Sequence, residues 1–143
     1  HHFLGLNDGG RVTVYETRGN QYTHVVLRGG TKPNYDTKSV KSCESQLEKE
    51  DLPKRIMIDC SHGNTNKDYT LQPKVADNCI NQVLKSNQSI IGFMLESNIE
   101  EGNQKITPDL KDLKYGVSLT DACINWESTE KLLLRLAEKL RKR

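Results

Sequence analysis

Three polar residues sit where short apolar runs end, and their types suit one kind of chemistry. His62 closes the segment Ile56-Met57-Ile58-Asp59-Cys60-Ser61, Glu96 follows Ile90 to Leu95, and Asp121 follows Val117-Ser118-Leu119-Thr120. One imidazole and two carboxylates gathered at segment ends can hold a divalent metal, and nitrogen with oxygen donors suits manganese, iron, cobalt or zinc. Three ligands are one short of a closed tetrahedral site. Each residue also has a plainer reading. A lone histidine is as readily a hydrogen-bonded structural residue as a ligand. Glu96 taken alone is a surface carboxylate, although the apolar run before it favours an inward position. Asp121 could cap a nearby turn. Cys60 lies two residues before His62, on the same face of an extended chain, and so competes as a thiolate ligand with a simple packing role.

The elements that must position these groups follow from periodicity. Residues 1–18 read as a hairpin, with Phe3, Leu4 and Leu6 separated from Val12, Val14 and Tyr15 by the turn-forming tract Asn7-Asp8-Gly9-Gly10. A strand over 24–28 ends in Arg28 before Gly29-Gly30. A helix is expected to begin at the N-cap Asp36 and to place Val40, Cys43 and Leu47 on one face. A strand over 55–59 leads into a Gly- and Asn-rich loop from His62 to Asp68. The pattern then gives a helix over 72–86, a strand over 90–96, a long polar loop to about 115 and a helix over 128–141. That last helix would bury Leu132, Leu133, Leu136 and Leu140. The order is a hairpin followed by β-α-β-α-β-α. Continuous apolar strands predict a parallel sheet buried on both faces. Arg28, His62 and Glu96 all fall at strand C-terminal ends, where (β/α)8 barrels carry their chemistry. Three βα units cannot close such a barrel and leave two open edges.

The chain has 143 residues, a hydrophobic fraction of 34%, a charged fraction of 28% and a formal net charge of +2. These values fit one globular domain. No apolar run approaches the roughly 20 residues of a membrane helix. Acids and bases are interspersed except for a basic cluster from Arg135 to Arg143, most simply the end of the last helix, which argues against a nucleic-acid binder. Cys43, Cys60, Cys79 and Cys123 include no CxxC pair and read as reduced intracellular thiols, with Cys43, Cys79 and Cys123 on apolar faces. His1-His2-Phe3-Leu4 reads like the interior of a strand, so a piece of a longer chain is expected.

Several long motifs occur in a fixed order: Leu27-Arg28-Gly29-Gly30, Met57 to Asn64, Leu95-Glu96-Ser97-Asn98, Glu101-Gly102-Asn103-Gln104 and Tyr115 to Cys123. On these motifs the chain resembles the C-terminal part of type I 3-deoxy-D-arabino-heptulosonate 7-phosphate (DAHP) synthase, the metal-dependent first enzyme of the shikimate pathway. The resemblance covers essentially the whole chain and is strongest to the fungal and enterobacterial subgroup. It implies an α/β fold in which residues 1–143 form the C-terminal part of a single (β/α)8 TIM-barrel domain. Residues 1–18 would be an extra hairpin and 22–143 the last three βα units. It implies a divalent metal held by His62, Glu96 and Asp121, with the family's fourth ligand, a cysteine of the first barrel strand, unmatched here. That assignment leaves Cys60 to packing.

The resemblance further implies that Arg28 grips the phosphate of phosphoenolpyruvate, where the alternative is a structural ion pair. The family's Lys-Pro-Arg-Thr motif has no counterpart in these residues. The implied reaction is condensation of phosphoenolpyruvate with erythrose 4-phosphate, in a cytoplasmic homo-oligomer. Feedback inhibition by an aromatic amino acid is also implied, and Phe3 either belongs to that region or simply packs in its strand. Lys67 and Asn64 could meet substrate phosphate or lie in a solvated loop. The expectation is half an active site, inactive alone; the competing reading is a non-catalytic fragment.

Overall fold

The computed structural model describes residues 1–142. Strands β1 (His2–Leu6) and β2 (Val12–Glu16) pair antiparallel, with Leu4 opposite Val14 and Phe3 opposite Tyr15. The Phe3 and Tyr15 rings stack with centroids 5.4 Å apart. Asn7 closes the turn, its side-chain oxygen accepting from the Gly9 and Arg11 N–H groups. Leu4, Leu6, Val12 and Val14 remain exposed.

A second sheet contains β3 (Val25–Leu27), β4 (Ile56–Asp59) and β5 (Ile90–Met94), all parallel and in that order. They alternate with helices α1 (Thr37–Lys49), α2 (Gln72–Leu84) and α3 (Trp126–Arg141). The helix starts follow local chemistry. Asp36 accepts from the Lys38 and Ser39 N–H groups, Asn125 accepts from Ser128 N–H, and Pro73 occupies the first turn of α2, where no N–H is needed. Capping by Asn125 starts α3 two residues earlier than the apolar spacing predicts.

The core gathers Val40 and Leu47 of α1, Ile56 and Ile58 of β4, Val75, Ala76, Cys79 and Ile80 of α2, and Leu132 and Leu136 of α3. The sheet is not buried on both faces as its apolar strands suggest. Strand alternation puts Val26 and Met57 opposite the Ile58 side, and Val26 is 46% exposed. Leu133 and Leu140 of α3 are also exposed, because only a narrow stripe of that helix meets the core. An Asp77 carboxylate on α2 receives both the Arg135 guanidinium, at 2.7 Å, and the Lys139 ammonium, at 2.6 Å, and so ties α2 to α3. Part of the basic C-terminal cluster is therefore an interhelical clamp. No helix among the described residues is long and apolar enough to cross a membrane.

Candidate metal centre

His62 follows β4 through a backbone that turns left-handed at the histidine itself, with φ of 49°. Histidine tolerates this region better than most side chains, yet the conformation persists only where neighbours enforce it. Asp59, 2% exposed at the end of β4, supplies the main constraint. Its Oδ2 lies 2.8 Å from His62 Nδ1 while its Oδ1 accepts from Ser61 N–H at 2.8 Å. An ionised carboxylate is an acceptor only, so Nδ1 carries a proton, and in the neutral ring Nε2 offers the lone pair that a metal needs. That is the arrangement by which proteins orient a metal-binding imidazole.

His62 Nε2 faces two further carboxylates, Glu96 Oε1 at 3.4 Å and Asp121 Oδ2 at 3.6 Å. Both distances exceed an ordinary N–H···O bond of about 2.7–3.2 Å. Donors about 2.0–2.2 Å from a common tetrahedral metal stand roughly 3.4 Å apart, so the spacing fits a shared ion. One ligand atom from each of the three residues lies within 4.8 Å of the others. Glu96 is fixed at two places. Its side-chain Oε2 accepts from Ser61 Oγ at 2.6 Å, which leaves Oε1 toward the histidine. Its backbone is clamped by the fully buried Gln72, whose Oε1 accepts from Glu96 N–H at 2.7 Å and whose Nε2 donates to Glu96 O at 3.0 Å.

Asp121 is not delivered by a regular strand as the pattern in 117–120 suggests. Residues 118–124 cross the loop after β5 through isolated bridges, pairing Asn103 with Ser118, Gly102 with Cys123 and Ser97 with Ile124. Asn103 Nδ2 also donates to Thr120 O at 2.8 Å. The Asp121 side chain, 53% exposed, leans over the centre instead of capping a turn. A cavity of about 310 Å³ opens here, bordered by Ser61, His62, Lys67, Glu96, Asn103, Asp121 and Ala122.

Arg28 lies outside that cavity but adjoins it. Together with Gly29, Gly30, Gly63, Asn66 and Lys67 it borders a neighbouring space of about 500 Å³, and His62 belongs to both. The two loops interlock. Gly29 has φ of 77°, and a Cβ there would sit 2.4 Å from the carbonyl carbon of Gly63, so only glycine allows the backbones to cross this closely. Asn64 bolts the crossing, donating to Leu27 O at 2.9 Å and Asp59 O at 2.7 Å and accepting from Asn34 N–H at 2.8 Å. Asn64 is thus a buried structural residue, neither solvated nor directed at a substrate.

Cys60 points away from the centre into the core, where burial, with Cys79 and Asp59 adding to it, pushes its thiol far above the ordinary range. Burial likewise raises Cys79 to about 11. Cys123, expected in the core, is only half-buried and donates to Asp121 O at 3.6 Å. Asp59, Ser61 and Gln72 carry functional geometry that residue-type reasoning passed over. The signal for Asp59 was present, a carboxylate three residues before His62 where the strand turns; Gln72 gave none.

The comparisons with known proteins concern the chain as a whole. The sequence model described as the DAHP synthetase I family matches residues 1–134. The Tyr-sensitive phospho-2-dehydro-3-deoxyheptonate aldolase of Enterobacter agglomerans is 52% identical over 140 residues, covering 98% of this chain and 66% of that protein. The phenylalanine-inhibited enzyme of Saccharomyces cerevisiae is 49% identical over 150 residues, covering 100% of this chain and 40% of that protein. The structure of the aldolase of the same name from Francisella tularensis superposes with a TM-score of 0.86 at 44% identity, over 96% of this chain and 40% of that one. The chain therefore spans only part of the relatives it matches. The family model matches nearly the whole of these residues, and the chain belongs to the DAHP synthetase I family.

Proposed function

We propose that these residues form the last three βα units, with an extra hairpin, of a (β/α)8 barrel that condenses phosphoenolpyruvate with erythrose 4-phosphate. The reading is supported above all by the convergence of His62, Glu96 and Asp121 at metal-ligand spacing beside the cavity that holds Arg28. A divalent ion bound by these three residues would supply Lewis acidity to polarise the aldehyde of erythrose 4-phosphate. Manganese, iron, cobalt and zinc all suit the donor set.

The chain's own residues prepare that reaction. The Arg28 guanidinium takes the phosphate of phosphoenolpyruvate bidentately and fixes its direction. Asp59 holds the proton on His62 Nδ1, which keeps Nε2 directed into the centre. Ser61 occupies one Glu96 oxygen and thereby presents the other. In the reaction the methylene carbon of phosphoenolpyruvate forms a bond to the aldehyde carbon, and the aldehyde oxygen gains a proton. Water then adds to the cationic enol carbon, and collapse of that adduct expels inorganic phosphate. Its rate depends on holding the two carbons in register, which is the work of fixed phosphate contacts.

The rest of the barrel, including a fourth ligand, would come from outside these residues. A cytoplasmic homo-oligomer belongs to the same reading, as does inhibition by an aromatic amino acid, and only the inhibition draws support from the Tyr-sensitive and phenylalanine-inhibited names of the relatives. In the complete protein, His62→Ala should abolish metal-dependent formation of the seven-carbon product. Unchanged turnover together with unchanged metal content would remove His62 from the centre. The 143 residues alone, given both substrates and manganese, should show no turnover, and clear activity would overturn the partial-barrel reading.

A further inference from the structure

Lys67 is the one described cation that borders both the cavity of His62, Glu96 and Asp121 and the cavity of Arg28. We propose that Lys67 binds substrate, sharing with Arg28 the phosphate group of phosphoenolpyruvate on the side that faces His62; this rests on the synthase reading above. Three observations carry it.

The first is unspent charge. Among the described residues no carboxylate oxygen lies within 4.0 Å of the Lys67 or Arg28 side-chain nitrogens, whereas Arg135 and Lys139 both close on Asp77. Lys67 stays unpaired although Glu96 and Asp121 border the same cavity. A phosphate ester carries close to two negative charges, and one guanidinium neutralises half of that. A lysine acting as a point charge is the usual complement to a bidentate arginine.

The second is backbone strain placed at this residue. Asn66 and Lys67 are consecutive left-handed positions, with φ of 52° and 66°. Non-glycine residues in this region cost of the order of 1–3 kcal/mol each and persist where the surroundings enforce them. Lys67 N–H donates to His62 O at 3.0 Å, so the loop that carries the lysine is tied to the histidine itself. The third is the wall between the cations. Gly30 borders the Arg28 cavity without a side chain, and a Cβ there would meet nothing within 4 Å, so an anion can approach the backbone at this point.

The test uses the complete protein loaded with manganese and the variants Lys67→Met and Lys67→Arg. Loss of a charged hydrogen bond from a partly solvated site predicts about a tenfold rise in KM for phosphoenolpyruvate in Lys67→Met. KM for erythrose 4-phosphate and bound metal should stay within about twofold, and Lys67→Arg should recover most of the loss. A KM for phosphoenolpyruvate that does not move, a KM for erythrose 4-phosphate that rises alone, or no recovery by arginine would each overturn the assignment. Calorimetric titration with phosphoenolpyruvate separates this assignment from the synthase reading. If the wild type fails to condense the two substrates, the synthase reading falls. Weaker phosphoenolpyruvate binding by Lys67→Met would still support the lysine contact, and equal binding would refute it.

Discussion

Asn64 is the residue whose loss should do most damage for its size. It is 3% exposed, and its carboxamide joins three segments: the end of β3 through Leu27 O, the end of β4 through Asp59 O, and the 30–34 loop through Asn34 N–H. Asn34 in turn accepts from Gly29 N–H at 2.7 Å, so the network reaches the residue next to Arg28. Asn64→Ala removes three hydrogen bonds where the segments cross. At about 1 kcal/mol net for each bond the loss is about 3 kcal/mol. The contacts to Leu27 and Asn34 are only part-buried, so water can replace some of that and set a floor of about 2 kcal/mol. Asn64→Asp retains an acceptor for Asn34 N–H but turns a carboxylate oxygen toward two carbonyl oxygens, and it should destabilise at least as much. Urea unfolding of the complete protein measures both, with an unchanged m-value as the condition for comparison. KM for phosphoenolpyruvate should rise in the same variants, because Arg28 loses its register against His62. A loss below about 1 kcal/mol for Asn64→Ala, or an aspartate variant more stable than the alanine one, would refute the account of Asn64 as the bolt between the loops.

Two further expectations concern the centre's support and the helix clamp. Asp59→Ala frees the His62 ring and should weaken divalent metal binding by about 10–100-fold, read by competition with a chelator; affinity within twofold of wild type would contradict the positioning role. The Asp77 carboxyl is held down at about 2, from an ordinary 3.8, chiefly by the Arg135 hydrogen bonds and also by Lys139, against opposing burial. The folded state thus binds fewer protons than the unfolded state between these values. The clamp's contribution is complete above about pH 4 and disappears as pH falls toward about 2. The shift alone corresponds to roughly 2 kcal/mol, and solvent exposure of Arg135 and Lys139 brings this nearer 1 kcal/mol. The stability gap between wild type and Asp77→Asn should therefore be level above pH 4 and narrow below it. A gap that stays constant down to pH 2 would remove the ion pair as its cause.

Much of the fold was legible because its signals are local. The hairpin follows from Asn7 to Gly10, the start of α1 from Asp36, and the order of strands and helices from apolar periodicity. The misplaced features are those that depend on distant partners. Leu133 and Leu140 satisfy a helical stripe, but α3 packs chiefly against α2, and both leucines stay exposed. The apolar strands predict two covered faces, yet helices cover one, and Val26 stays open on the other. Residues 117–120 have strand-like composition but form only isolated bridges, because their hydrogen-bonding partners are Asn103 and Gln104 in the loop after β5.

The candidate site divides in the same way. The sequence by itself determined the donor chemistry: one imidazole, two carboxylates and an arginine, each at the end of an apolar segment. Arg28, His62 and Glu96 follow strand ends, which local pattern reveals, whereas Asp121 sits in the loop after β5. Tertiary structure decided which atoms meet. It set His62 Nε2 between Glu96 and Asp121, put Asp59 behind the ring, turned Cys60 into the core and left Lys67 unpaired between two cavities. These outcomes depend on β4 and β5 lying side by side in parallel register and on two glycine-bearing loops crossing at van der Waals limits. Proximity of that kind arises from long-range packing, which no spacing along the chain encodes.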